Sequence, residues 1–92
     1  MEILYKDEDA ELYIEWCETL NGYLLHTTIH KWSLSKYKKY LIILGREINK
    51  IKEKEVFAIP LTEQDEKWER LFGFKDTGMR VYNYKIMRLS WD

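Results

Sequence analysis

The sequence has 92 residues, of which 46% are hydrophobic and 15% aromatic, and its formal net charge is -1. This length suits one domain, residues 1–92, with a single core, and the composition excludes a disordered chain. The near-neutral charge argues against a generic polyanion binder, and the longest apolar run, Tyr40–Leu44, is too short to span a membrane. The lone Cys17 cannot form an internal disulfide and no signal-peptide pattern is present, so we expect a cytoplasmic protein.

Three strands are predicted in the first third of the chain. A short strand over about Glu2–Lys6 is followed by a charged turn. In residues 11–17 apolar and polar side chains alternate, which is the period of a strand with one buried face. Asn21 and Gly22 form a strong hairpin signal, so a third strand should run over about residues 23–31.

A long helix is predicted next. Ser33 is suited to the N-cap position, and Trp32 and Tyr37 stand where a hydrophobic staple would close. An apolar stripe with spacings of three and four continues from there to about Lys54. The stripe consists of Leu34, Tyr37, Leu41, Leu44, Ile48 and Ile51.

The second half of the chain predicts two strands around a second helix. Val56–Ile59 is a short apolar run that should be parallel to the strand before the long helix, because a crossover helix returns the chain. Glu63–Phe72 fits a helix that Gly73 would end as a left-handed residue. After a turn near residues 76–78, Arg80–Trp91 is predicted to be one long final strand. The fold class is therefore α+β with the order β-β-β-α-β-α-β and a mixed, mostly antiparallel sheet.

Charge is distributed unevenly along this order. Residues 1–20 carry seven acidic side chains and one lysine, whereas residues 31–54 carry eight basic side chains and two acidic ones. We therefore expect an acidic edge and a basic face. Three lysines, Lys36, Lys38 and Lys39, fall at the start of the long helix, where the macrodipole is already positive.

These lysines have two interpretations. Together with Ser33 and Ser35 they would form an anion site that uses side-chain donors. Alternatively they belong to a solvated face, and this interpretation is favoured because exposed lysines cost little free energy.

Other polar and aromatic groups favour structural roles. His26 and His30 share a strand face about 13 Å apart, too far for one zinc ion. The acidic residues of the second helix lie mostly in its first turns, where a solvated face suits the dipole. Most of the four tryptophans are expected in the core. A nucleic-acid surface along the last strand has only faint support, from Tyr82, Tyr84, Lys85 and Arg88.

Two segments resemble the GNAT acetyltransferase superfamily, and within it small phage-encoded proteins. "EKWERLFGFKDTG", residues 66–78, is similar to the helix-to-strand signature that ends in Leu-Gly-Phe, here Leu71-Phe72-Gly73-Phe74. "HTTIHKWSLSKYKK", residues 26–39, resembles the strand-to-helix entry of the phage-type members. The resemblance covers nearly the whole chain and implies a minimal GNAT-like fold that lacks the family's usual first strand and two substrate-side helices.

The resemblance also implies where acetyl-coenzyme A would bind. Ile29 and His30 would hold the pantetheine, and the phosphates would meet the helix start at Ser33, Ser35, Lys36, Lys38 and Lys39. The sequence departs from the family here, because the glycines of the phosphate loop are replaced by larger residues. Glu69 stands where the family often has a general-acid tyrosine, and His30 is the candidate base. A carboxyl group could serve as the acid only if its pKa were raised.

The residues leave open whether this chain is an enzyme. The first hypothesis is a non-catalytic or weakly catalytic phage-type protein that binds a protein partner, as a virion component or as an inhibitor of a host or defence enzyme. The alternative is an N-acetyltransferase with a lysine-rich phosphate site. A homodimer through a free sheet edge is a further expectation, while no membrane is expected and nucleic acid is the least favoured partner.

Overall fold

The computed structural model describes residues 2–50 and 55–90, which form a six-stranded sheet and two helices. The strands are β1 (Glu2–Lys6), β2 (Ala10–Cys17), β3 (Gly22–Ile29), β4 (Glu55–Ala58), β5 (Phe74–Val81) and β6 (Tyr84–Leu89). The helices are α1 (Leu34–Lys50) and α2 (Glu63–Phe72). The sheet is mixed, with the order β1-β2-β3-β4-β6-β5, so the α+β class is confirmed.

The centre of the sheet is a short parallel pair. β1, β2 and β3 form an antiparallel meander, and α1 then returns the chain so that β4 lies parallel to β3, as predicted for a crossover helix. The two strands are paired only between Gly22–Leu24 and Glu55–Phe57. The rest of β3 extends beyond this ladder and leads directly into the start of α1.

The prediction of one long final strand is wrong. The chain forms a hairpin instead, in which β5 and β6 are joined at Tyr82 and Asn83. Both turn residues have positive φ angles, 48° and 71°, as two-residue hairpin turns require. The sequence offers no glycine at this turn, which is why it was missed, and the sheet has six strands rather than the five predicted.

The start of α1 and the bounds of α2 agree with the sequence. The Ser33 hydroxyl accepts a hydrogen bond from the Lys36 amide at 3.2 Å, and the staple pair Trp32 and Tyr37 has its ring centroids 5.5 Å apart. α2 has the predicted bounds, and Gly73 ends it with a φ of 106°. The predicted extension of α1 to Lys54, with Ile51 in its stripe, lies outside the described residues.

The core lies on one face of the sheet. Alternate residues of the strands form one cluster with residues of both helices, including Tyr40 and Leu44 of α1 and Phe72 of α2. The predicted stripe was therefore displaced, since it omitted Tyr40 and began at Leu34, which is 68% exposed. Trp16 and Trp32 are also exposed, against the expectation that most tryptophans belong to the core.

The opposite face of the sheet has a different composition. It carries the alternate residues of β2 and β3, including Glu11, Tyr13, Glu15, His26 and Thr28, which are half-buried or exposed. No helix among residues 2–50 and 55–90 packs on it, so the described part of the chain is a two-layer arrangement.

Candidate functional site

The start of α1 is held against the turn between β1 and β2. The amides of His30 and Lys31 donate hydrogen bonds to the Asp9 carbonyl at 2.7 and 3.2 Å. Within the turn, the Asp7 carboxylate accepts from the amides of Asp9 and Ala10 at 2.7 and 2.9 Å. The acidic turn therefore sits next to the point where β3 becomes α1, although more than twenty residues separate them in the chain.

Two of the three lysines at the helix start contact β1 or this turn. Lys36 forms an ion pair with the Asp9 carboxylate, and the hydrogen bond from Lys36 to Asp9 raises the pKa of the lysine. Lys39 donates a hydrogen bond to the Tyr5 hydroxyl at 2.8 Å and lies 4.7 Å from the centroid of that ring. The Tyr5 contact likewise raises the pKa of Lys39.

The remaining predicted phosphate-binding residues, Lys38, Ser33 and Ser35, have different environments. Lys38 is exposed and has no ion-pair partner among the described residues. The Ser33 hydroxyl caps the helix through the Lys36 amide and lies 3.3 Å from the Ser35 hydroxyl. The structure thus brings the five side chains to one helix start but directs Lys36 and Lys39 toward internal partners, so a bound anion would compete with Asp9 for Lys36.

Ile29 and His30, the predicted pantetheine contacts, end the central strand. Ile29 is buried in the core and pairs with Ala10 of β2. The His30 side chain is exposed, and its amide is used by Asp9. The backbone at this position is therefore tied to the meander side of the sheet.

An aromatic cluster joins the start of α1 to α2. Trp32 stacks on Trp68 with a centroid separation of 5.8 Å and contacts Phe72 at 6.3 Å. Tyr37 stacks on Phe72 at 5.9 Å, and its hydroxyl donates a hydrogen bond to the Leu71 carbonyl at 2.8 Å. These rings occupy the space between the two helices beside the end of β3.

Glu69 is a buried carboxyl group. Its side chain lies on α2 and only 3% of the residue is exposed. Burial, with the nearby charges of Asp65 and Glu66, raises its pKa to about 8. Its Oε1 atom has no hydrogen-bond partner among the residues described. The group is therefore protonated at neutral pH, which meets the condition that the sequence set for a general acid, but it lies beneath the surface.

Sequence reasoning missed the partners of these groups. Tyr5 and Asp9 were assigned only to a strand and a charged turn, although the acidic run at residues 7–9 was a signal that a basic segment should lie opposite it. Trp68 was assigned to the core without a specific neighbour. Nothing in the local pattern indicated its stacking partner.

The other candidate sites are not assembled. Among the described residues no three metal-ligating side chains converge, and His26 contacts Glu15 at 2.5 Å. Lys85 pairs with Glu66 of α2, whereas Arg88 pairs with Glu55, and their alternation places them on opposite faces of β6. The faint nucleic-acid surface predicted there is therefore split between two faces.

Two cavities lie away from the start of α1. One of about 640 Å³ is lined by Leu20, Phe57, Lys75 and Arg88 among others, and one of about 440 Å³ lies near Trp16 and the end of α1. Neither is lined by any of the predicted cofactor-binding residues.

None of the described helices is long and apolar enough to cross a membrane. Comparisons with protein-family models, with curated proteins and with solved structures gave no significant match.

Proposed function

We propose that this chain is a GNAT-like domain that acts by binding a protein partner and has little or no catalytic activity. The observation that carries the proposal is the aromatic cluster of Trp32, Tyr37, Trp68 and Phe72. It occupies the space next to the end of β3 where the family resemblance implies that the thioester would lie.

The sheet topology supports the proposal that the domain is GNAT-like. The central pair β3 and β4 is parallel and is paired over only three residues, so the strands are free to diverge toward the start of α1. The resemblance implies that kind of opening in the central strands. The signature Leu71–Phe74 forms the end of α2 and the beginning of β5, which is the role it has in the family.

Three properties of the helix start disfavour the binding of acetyl-coenzyme A. Large side chains replace the glycines that would let phosphate approach the backbone. Lys36 is paired with Asp9 and Lys39 with Tyr5. The Tyr37 hydroxyl donates a hydrogen bond to the Leu71 carbonyl, which joins the start of α1 to the end of α2. Cofactor binding would have to break several of these contacts at once.

Calorimetric titration with acetyl-coenzyme A tests this proposal. We expect no detectable heat for the wild-type protein at moderate salt. Micromolar binding that is lost in a Lys36→Glu, Lys38→Glu double variant, but kept in the matched surface variant Lys75→Glu, would overturn the proposal and support the enzyme. Recovery of a stoichiometric partner from a bacterial lysate would add support, and its identity would separate a virion component from an inhibitor.

One observation favours the alternative, an acetyl-coenzyme A-dependent N-acetyltransferase. Glu69 stands in the family's general-acid position and is protonated at neutral pH because burial raises its pKa to about 8. In that reaction an amine attacks the thioester carbonyl, the carbon–sulfur bond breaks, and the Glu69 carboxyl gives its proton to the departing thiolate. The proton lost by the attacking amine, accepted by His30 or water, would balance the step.

A thiol-release assay with small amines and peptide amino termini tests this alternative. It predicts turnover in the wild-type protein that falls by at least about a hundredfold in Glu69→Gln, since general-acid groups contribute on that scale. Turnover that is absent in the wild-type protein, or unchanged in the variant, would count against it.

A further inference from the structure

A group of apolar side chains is exposed beside the aromatic cluster. Leu34 is 68% exposed, Leu71 is 50% exposed, and Trp32 is 37% exposed. The hydrogen bond from the Tyr37 hydroxyl to the Leu71 carbonyl brings the start of α1 and the end of α2 together at this point. We call these three residues, together with Lys31, Lys38 and Lys67, the Trp32 surface.

Three lysines without acidic partners border these apolar groups. Lys31 precedes Trp32, Lys38 lies four residues after Leu34 on α1, and Lys67 lies four residues before Leu71 on α2. Residues four apart are neighbours on one helix face. Among residues 2–50 and 55–90 no carboxylate is within ion-pair distance of any of the three. Most other basic side chains of the described chain are paired.

The Trp32 ring at the centre of this surface packs against three other aromatic side chains. One side of the Trp32 ring contacts Trp68, and its other neighbours are Tyr37 and Phe72. Phe72 is almost completely buried in the core. A side chain fixed in this way loses little conformational entropy when a partner binds, and tryptophan is enriched among residues that dominate binding energy.

The chemistry of this surface points to one kind of occupant. We infer that the Trp32 surface binds an acidic, amphipathic segment of a partner protein, whose apolar side chains cover Leu34, Leu71 and Trp32 while its carboxylates meet Lys31, Lys38 and Lys67. This inference rests on the proposed function and names the surface and the partner chemistry that it requires. Unpaired charges around an apolar centre are the arrangement that gives specificity to such interfaces.

Two other occupants fit the geometry less well. Stacking of nucleic-acid bases needs free aromatic faces, but one face of the Trp32 ring is already stacked on Trp68. A second copy of the chain would have to use other acids, such as the exposed Glu8 or Glu18, because Asp9 is paired with Lys36 and Asp7 accepts hydrogen bonds from its own turn.

The inference is tested by selecting a yeast-displayed library of random peptides, about 16 residues long, on the purified protein. We expect enriched peptides that are acidic and that place apolar residues at helical spacing. Their affinity should fall by at least about tenfold for a Leu34→Ser, Leu71→Ser variant and for a variant with Lys31, Lys38 and Lys67 all changed to glutamate. A control variant changes Met79→Ser, Lys75→Glu and Arg46→Glu, which are exposed residues elsewhere, and should bind as the wild-type protein does.

Several outcomes would overturn the inference. These are failure to enrich any peptide, enrichment of neutral or basic peptides, and equal binding to the wild-type protein and both surface variants. Salt-sensitive binding of fluorescent oligothymidine that the lysine reversal abolishes would assign the surface to nucleic acid. A dimer in light scattering that the same reversal dissociates would assign it to a second copy. Melting curves establish that each variant is folded.

The titration with acetyl-coenzyme A separates this inference from the proposed function. Peptides that bind the wild-type protein and the surface variants equally would move the binding site elsewhere and leave partner binding intact. Cofactor binding at Lys36 would overturn the proposed function whatever the peptides do.

Discussion

The two helices begin with opposite charge. α2 starts at Thr62, whose hydroxyl accepts a hydrogen bond from the Asp65 amide at 3.1 Å, and its first turn contains three acidic residues. The Asp65 carboxylate also accepts from the amide of Leu61, the residue before the cap, at 3.3 Å. α1 starts at Ser33 with the same hydroxyl cap but has Lys36 where α2 has Asp65, and its first turn has no acidic residue.

The helix start is compensated by local charges in α2 and by a tertiary contact in α1. The acids of α2 satisfy the macrodipole within the helix itself. The lysines of α1 oppose the macrodipole, and the charge of Lys36 is compensated by Asp9 from the turn between β1 and β2. A conflict between local preference and observed structure is expected where a segment has another task. Here the task of Lys36 is to join the helix to the sheet, while Lys38 is left unpaired at the surface.

Glu69 is the largest exception to the favourable acidic residues of α2, because its side chain is buried. The unfolded chain loses this proton near the ordinary pKa of 4.5, whereas the folded protein keeps it up to about pH 8. Between these values the folded state binds more protons, so the free energy of unfolding should fall as pH rises, by on the order of 4 kcal/mol for a group with this shift. Glu69→Gln should remove that loss and be the more stable protein above pH 8.

Urea denaturation across this pH range measures the effect. The matched control is Glu63→Gln, which removes an exposed acid from the same helix and should keep the wild-type pH profile. A wild-type protein whose stability is constant between these pH values would show that Glu69 is ionised in the folded state.

We expect the two hydroxyl caps to contribute similar amounts to the free energy of unfolding, although the charges that follow them differ in sign. Thr62→Ala and Ser33→Ala each remove a hydroxyl that accepts a helix amide, and each should cost about 1 kcal/mol, which lowers the melting temperature by roughly 4 to 8 °C in a domain of this size. Thermal melting followed by circular dichroism measures both. A loss at Ser33 much smaller than that at Thr62 would mean that the hydrogen bonds from residues 30 and 31 to Asp9 hold the start of α1 without its cap.

The smallest expected effect is a difference in melting temperature between charge reversals at Lys36 and at Lys38. Lys36→Glu places a negative charge beside Asp9 and should lower the melting temperature slightly, while Lys38→Glu, which breaks no ion pair in the described chain, should leave it unchanged or raise it slightly because it suits the dipole. Differential scanning calorimetry of the two charge reversals at low salt makes the comparison. Equal shifts would mean that the ion pair with Asp9 contributes nothing measurable.

Much of the fold was predictable because its signals are local. The Ser33 cap and helical spacing identified α1, Gly73 identified the end of α2, and alternation with Asn21 and Gly22 identified the first hairpin. The second hairpin was missed because its turn uses Tyr82 and Asn83 in positive-φ conformations instead of glycine. Tyr82 is 92% exposed, so no packing pattern marked the position either.

The candidate site was only partly predictable. The sequence identified the lysines at the start of α1 because they oppose the macrodipole. Glu69 was singled out only by the family resemblance, and the expectation that it belongs to a solvated face of α2 is wrong because it is buried. It did not identify Asp9 as the partner of Lys36, which is 27 residues away in the chain, or Leu71 as the partner of Tyr37, which is 34 residues away. The pKa of Glu69 depends on burial, which spacing along one helix does not reveal.

The amino-acid sequence by itself determined the two helices, the first four strands, the Ser33 cap of α1, the glycine that ends α2, and the lysines that conflict with the macrodipole. Only the tertiary structure decided that Lys36 meets Asp9, that aromatic rings lie between α1 and α2, and that Lys31, Lys38 and Lys67 have no ion-pair partner in the described part of the chain. The physical reason is that caps and periodicity act between residues within about four positions of one another. Ion pairs, stacking and desolvation depend instead on which distant segments the sheet brings together.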